Sequence, residues 1–145
     1  MPDVFKETAR IPIIGKRILF VCVENAGRSQ MAEAFAKRHG ISATSAGTLP
    51  SNHVNPIVIE AMKEKGFDLS SNVPKMLTVN MIEAADLVVT MGCSVEQVCP
   101  KPMIAQMQKK LIDWHLEDPK NKPLPTVRTI RDEIEELVKT LVSSS

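Results

Sequence analysis

A six-residue apolar run, Ile18-Leu19-Phe20-Val21-Cys22-Val23, breaks at Glu24-Asn25-Ala26-Gly27 and gives way to helical spacing. This juncture constrains the chain more than any other feature. A run so short, partly β-branched and without polar alternation, matches a strand buried on both faces, as in a parallel sheet. From Ser29 to His39, Met31, Ala32, Phe35 and Ala36 share one helical face, and Gly40 supplies the stop. Ile41–Ala46 reads as a weak second strand ended by Gly47. Pro56 opens a second helix, with Ile57, Ile59, Ala61 and Met62 before Gly66. Leu87–Met91 reads as a third strand and Leu111–Leu116 as a fourth. Over Thr126–Val142, the residues Val127, Ile130, Ile134, Leu137 and Leu141 step by three or four, the clearest helix in the chain. Strands alternating with helices predict an α/β fold: right-handed βαβ units and a four-stranded parallel sheet covered by helices on both faces, three layers in all.

Composition narrows what such a fold can do. With 145 residues the chain has the size of one domain, expected over residues 17–145. Residues 1–16, with Pro2 and Pro12 and no clear period, read as an arm. The balance of 18 Lys+Arg against 17 Asp+Glu argues against a nucleic-acid footprint, as does the absence of Tyr. No apolar run approaches a membrane span, and the N-terminus lacks the apolar stretch of a secretory signal. A cytoplasmic location is therefore expected. The three cysteines, Cys22, Cys93 and Cys99, are an odd number for a static disulfide framework. With no C-x-x-C and with His39, His53 and His115 scattered, no metal site is expected. The thiols are either buried and inert or reactive.

Chemistry concentrates at residues 22–29, Cys-Val-Glu-Asn-Ala-Gly-Arg-Ser, between the first strand and its helix. In parallel sheets, ligands sit at the carboxyl ends of strands. A loop entering a helix there gathers backbone N–H groups around one concavity, a seat for a tetrahedral oxyanion. Val23, Glu24, Asn25, Ala26, Gly27, Arg28 and Ser29 are thus the candidate binding residues. Gly27 and Asn25 are the two positions suited to positive φ. Arg28 offers a planar fork for two oxygens. Cys22 at the base has the helix dipole and Arg28 to favour its thiolate, and Ser29 to hydrogen-bond its sulfur. C-x5-R alone is a weak signal; the strand–loop–helix setting strengthens it.

The same residues carry a family resemblance. Cys22-x5-Arg28-Ser29 resembles the loop of the low-molecular-weight protein tyrosine phosphatase fold. The continuation Gln30-Met31-Ala32-Glu33 is similar to that fold's arsenate reductase branch, where phosphatases usually place Pro after the Ser. Ser45-Ala46-Gly47-Thr48, Asn55-Pro56, residues 86–93, Cys99-Pro100, Asp113-Trp114, Glu117-Asp118-Pro119 and Arg131-Asp132-Glu133-Ile134 match as well. The resemblance spans about residues 17 to 142 and implies a thioredoxin-coupled arsenate reductase.

That resemblance implies roles. Cys22 attacks arsenate; Cys93 attacks Cys22 and arsenite leaves; Cys99 attacks Cys93, leaving a disulfide for thioredoxin. Phosphate and sulfate are the expected competing oxyanions. Arg28 binds the oxyanion and Asp118 is the general acid for the departing oxygen. On the residues alone, two independently buried thiols at Cys93 and Cys99, and a turn at Asp118-Pro119, stay open as alternatives. In a continuous helix Cys93 and Cys99 would stand ~9 Å apart along the axis. A disulfide needs Cα atoms within roughly 7 Å. Segment 93–99 is therefore expected to act as a mobile redox switch, less protected from amide exchange when oxidised. Ser45 and Glu33 match positions that hold a potassium ion in some relatives, and otherwise read as a strand-end hydroxyl and a solvated carboxylate. Lys75 stands near where those relatives carry an acid, so potassium is possible but not expected. Trp114 reads as core.

Three features depart from the pattern. Glu24 occupies a position often held by Gly or His, and its carboxylate is expected to point to solvent, away from a dianion. The Cys93–Cys99 spacing is one residue shorter than in the best-known three-cysteine arrangement. No aromatic follows Pro119 to wall a phenol site. The alternatives are a phosphomonoesterase on the same fold and a non-catalytic oxyanion or redox sensor. A sugar-transport phosphocarrier would give Arg28 little to do.

Overall fold

The structure is a computed structural model, and it describes residues 16–91 and 111–143. Cys93, Cys99, the segment between them and residues 1–15 of the expected arm 1–16 lie outside the described residues. The elements are β1 (Arg17–Cys22), α1 (Arg28–Arg38), β2 (Ser42–Gly47), α2 (Pro56–Lys63), α3 (Val79–Ala84), β3 (Leu87–Thr90), β4 (Leu111–Asp113) and α4 (Leu124–Ser143). All four strands are parallel, in the order β2-β1-β3-β4. The chain passes from β1 to one neighbour and then crosses to the other, so β1 lies at the topological switch point. Cys22 is its last residue, paired with Gly47 of β2.

The pleat of β1 sorts its side chains into two cores. Ile18, Phe20 and Cys22 face α1, α2 and α4, where they join Met31, Phe35, Val58, Met62, Ile130 and Ile134. Leu19 and Val21 face the other way, towards Leu77, Ile82, Ala85 and Val88. This two-sided burial is why β1 reads as an unbroken apolar run, and it gives the three-layer α/β arrangement. The expected faces of α1 and α4 are met closely, whereas in α2 Val58, Ala61 and Met62 are buried and the expected Ile57 and Ile59 only partly so. Met31, Ala32, Phe35 and Ala36 of α1 are all buried. In α4, Val127, Ile130, Ile134 and Leu141 are buried, joined by Val138, while Leu137 packs at the margin. Trp114 is core, its ring 5.9 Å from that of Phe20.

Two helices differ from the sequence reading, and strand β4 ends at Asp113, short of the expected Leu116. Helix α4 starts at Leu124, ahead of Pro125, because proline fits the first helical turn, where N–H groups have no partner within the helix. Helix α3, six residues long, is absent from the sequence reading. Its one local sign is Thr78, whose hydroxyl caps the Met81 N–H at 3.1 Å. Among the described residues no helix is long and apolar enough to cross a membrane.

Candidate active site

The site begins where β1 runs out. Strand pairing continues past its end. Thr48 N–H donates to Cys22 O at 3.3 Å, Leu49 N–H to Val23 O at 2.8 Å and Ser51 N–H to Glu24 O at 3.0 Å. The far side of the loop is tied down by Asn55 N–H, which donates to Ala26 O at 2.9 Å. Asn55 also caps α2 through Ile57 N–H at 2.9 Å. The approach of β2 is so close that a Cβ on Gly47 would lie 2.6 Å from Val23 O and 2.9 Å from Asn25 N.

Asn25 makes the turn. Its φ is 52°, in the left-handed region that asparagine tolerates better than most residues. Its side chain is completely buried and fully used. Nδ2 donates to Ser29 Oγ at 2.8 Å and to Ser45 Oγ at 3.0 Å. Oδ1 accepts from Lys75 N–H at 2.9 Å and Gln30 Nε2 at 3.1 Å. Gln30 is held in turn by Asn72 Nδ2 at 3.1 Å. Gly27, the other candidate for positive φ, has φ −147° instead. Its need for glycine is room: a Cβ there would stand 2.8 Å from Pro119 Cγ.

Cys22 Sγ lies at the floor, buried and free. Ser29 Oγ is 2.9 Å from it, and Asn25 N–H donates to it at 3.2 Å. With Cys22 as the thiolate, which can only accept, Ser29 O–H donates to it; two donors then converge on Sγ, the geometry that holds a thiolate. Arg28, the first residue of α1, is only 3% exposed. Its Nη1 donates to Met91 O at 2.9 Å and Leu116 O at 3.2 Å, anchoring the guanidinium to the ends of β3 and of the segment after β4. Nη2 is 3.7 Å from Asp118 Oδ2. Asp118 comes from the opposite wall, its side chain 53% exposed to the cavity and solvent.

Together these residues bound a cavity of about 390 Å³, lined by Cys22, Val23, Glu24, Ala26, Gly27, Arg28, Asn55, Asp118, Pro119 and Lys120. Five expected loop residues thus line it, while Asn25 and Ser29 lie behind and brace it. Glu24 lies on the exposed rim, where its carboxylate meets Lys120 Nζ at 2.7 Å. The hydrogen bond and charge of Glu24, with a further contribution from Asp118, raise the Lys120 pKa above its ordinary value. Ser45 Oγ donates to Glu33 Oε1, and Lys37 Nζ is 2.6 Å from Glu33 Oε2. Gln30, Asn72 and Lys120 went unrecognised as site residues in the sequence. Lys120 offered no signal beyond its charge, because nothing local says that residues 24 and 120 meet. Among the described residues no group of three or more His, Cys, Asp or Glu could hold a metal ion.

A thiol at the end of the central strand of a parallel sheet, under a helix N-terminus and beside a buried arginine, is an arrangement in which an α/β protein can seat an oxyanion against a cysteine. The chain belongs to the low-molecular-weight phosphotyrosine protein phosphatase family, whose model matches residues 17–144. It is 40% identical over 130 residues to a putative arsenate reductase of Halobacterium salinarum, covering 84% of this chain and 87% of that protein. It is 37% identical over 132 residues to a glutaredoxin arsenate reductase of Synechocystis sp., covering 88% and 97%. Among solved structures, an arsenate reductase in the phosphate binding state superposes with a TM-score of 0.74 at 35% identity, covering 88% of this chain and 97% of that one.

Proposed function

We propose that this protein is an arsenate reductase whose own thiols supply the electrons. The observation that carries the reading is Cys22 Sγ, held by Ser29 and the Asn25 N–H at the floor of the Arg28–Asp118 cavity. The arsenate reductases among its relatives and the two further cysteines in the sequence support it. The catalytic unit is residues 17–145, with 1–16 as an arm.

In this mechanism the oxyanion sits against the loop N–H groups and the Arg28 guanidinium. The Cys22 thiolate attacks arsenic. An arsenic–oxygen bond breaks, and Asp118 supplies the proton with which that oxygen leaves as water. The Cys93 thiolate next attacks Cys22 Sγ. The electron pair of the sulfur–arsenic bond goes to arsenic, arsenite departs as arsenic(III), and a Cys22–Cys93 disulfide forms. Cys99 attacks Cys93, Cys22 leaves as thiolate, and thioredoxin reduces the Cys93–Cys99 disulfide. Two thiols oxidised balance one arsenic reduced. No potassium ion enters the scheme, because Glu33 already has Ser45 and the Lys37 ammonium on its two oxygens.

A phosphomonoesterase is the second reading, favoured by a cavity larger than a lone tetrahedral anion fills. NADPH consumption with thioredoxin, thioredoxin reductase and arsenate separates the two, with glutaredoxin, glutathione and glutathione reductase as a parallel arm. Sustained, arsenate-dependent oxidation that vanishes in Cys22→Ser and in Cys99→Ser is expected. Asp118→Asn should lower turnover by about 10²-fold. Cleavage of p-nitrophenyl phosphate undiminished by Cys93→Ser and Cys99→Ser, with no arsenate-dependent oxidation, would establish the phosphatase instead.

A further inference from the structure

Glu24 is a carboxylate on the rim of a cradle built for a dianion, which by itself opposes binding. What the structure places against it comes from the opposite wall. Lys120 Nζ lies 2.7 Å from Glu24 Oε2, bridging the mouth between the anion loop and the segment that carries Asp118. The same lysine holds Asp118 from the backbone side, its N–H donating to Asp118 Oδ1 at 3.0 Å. Around it the segment is a defined turn: Lys122 N–H donates to Pro119 O at 3.1 Å, and Asn121 adopts φ 62°. Between the two residues Pro119 rests on Gly27, so tightly that no Cβ fits at 27. The two walls therefore meet at the apolar Gly27–Pro119 contact and at two ion pairs, Arg28–Asp118 at the floor and Glu24–Lys120 at the mouth.

Resting on the oxyanion reading of this cavity, we propose that the Glu24–Lys120 ion pair is a latch. It holds segment 118–120 against the anion loop, orients the Asp118 carboxyl towards the bound oxyanion, and cancels the charge of Glu24 so that a dianion can enter. Glu24 and Lys120 are positioning residues. Their side chains are 35% and 57% exposed, and an ion pair that open is weak. It loosens with salt.

The test is a double-mutant cycle read first by calorimetric binding of inorganic phosphate at low salt, then by arsenate turnover. Lys120→Met leaves Glu24 uncompensated and should weaken phosphate about tenfold. Glu24→Gln should bind phosphate at least as tightly as wild type. The double variant should recover to within about threefold of wild type, because the repelling charge is gone. Turnover at saturating arsenate should fall severalfold and equally in both single variants and the double, since each opens the same latch. Lys120→Arg, which keeps the charge within reach, should restore binding and turnover together. A double variant that binds phosphate as weakly as Lys120→Met would overturn the latch and make Lys120 a plain anion attractor. Phosphate affinity unchanged in Lys120→Met would overturn it too. The phosphate arm requires only the cradle, so it decides the charge compensation even if the chain proves not to reduce arsenate, and the turnover arm decides the orientation of Asp118.

Discussion

Asn25 carries more of the site than any residue that touches the cavity. A left-handed backbone costs an ordinary L-residue about 1–2 kcal/mol, and here it is held in place by contacts to both side-chain amide atoms. Asn25→Ala would keep the strained φ, lose the contacts, and leave the part-buried Lys75 N–H without its acceptor. We expect about 2–4 kcal/mol of destabilisation in urea unfolding, with turnover nearly abolished although Cys22 and Arg28 are intact. Asn25→Gly would relieve φ alone and recover part of the stability but little activity. At this scale, Cys22, Arg28 and Asn25 were legible in the sequence because strand, loop and helix are contiguous there. Gln30 and Asn72 were not. Their role is to brace Asn25 from behind, and the contact between Gln30 and Asn72 spans 42 residues. Gly27 was legible as a glycine that matters, but for the wrong reason: Pro119, 92 residues on, sets its limit through space rather than through φ.

Between elements, the carboxyl end of α2 is fastened to α4 by one carboxylate. Glu64 accepts from Arg128 Nη2 at 2.7 Å and Arg131 Nη1 at 2.8 Å, and Arg131 Nη1 also reaches Ala61 O at 2.9 Å. Hydrogen bonds from Arg128 and then Arg131 hold the Glu64 carboxyl down at about 2, from an ordinary 4.5. A pKa lowered by folding means that the ionised form favours the folded state. The contribution is complete above about pH 4.5 and is lost as pH falls through about 2. Glu64→Gln should therefore unfold more easily than wild type at neutral pH, and the gap between them in urea midpoint should close from about pH 4.5 to 2. A gap that stayed constant over that range would rule out the linkage. The helices themselves were readable from their 3.6-residue periods, and α4 above all. Helix α3 escaped because six residues are too few to show a period. It is a helix because Ile82 and its neighbours cover the Leu19–Val21 face of the sheet.

Across the whole molecule, the sheet divides an extensive core under α1, α2 and α4 from a smaller one on its other face. Ile134 sits in the larger core with no exposed surface. Ile134→Ala should cost about 2–5 kcal/mol in denaturant unfolding, and it should leave the affinity for phosphate unchanged in the folded fraction. By itself the sequence determined the parallel α/β arrangement, because hydrophobic period is a local property that a strand or helix displays whether or not its partners are known. It determined the thiol, arginine and loop as well, since one junction of strand and helix holds them all. Only the tertiary structure decided how Asp118 faces Arg28, how Pro119 limits Gly27 and how Lys120 meets Glu24. Residues 118–120 lie some ninety positions from the loop, and a local pattern carries no record of which distant side chain will close the distance. That choice is made when β1, β3 and β4 take their order in the sheet and bring their carboxyl ends to the same edge.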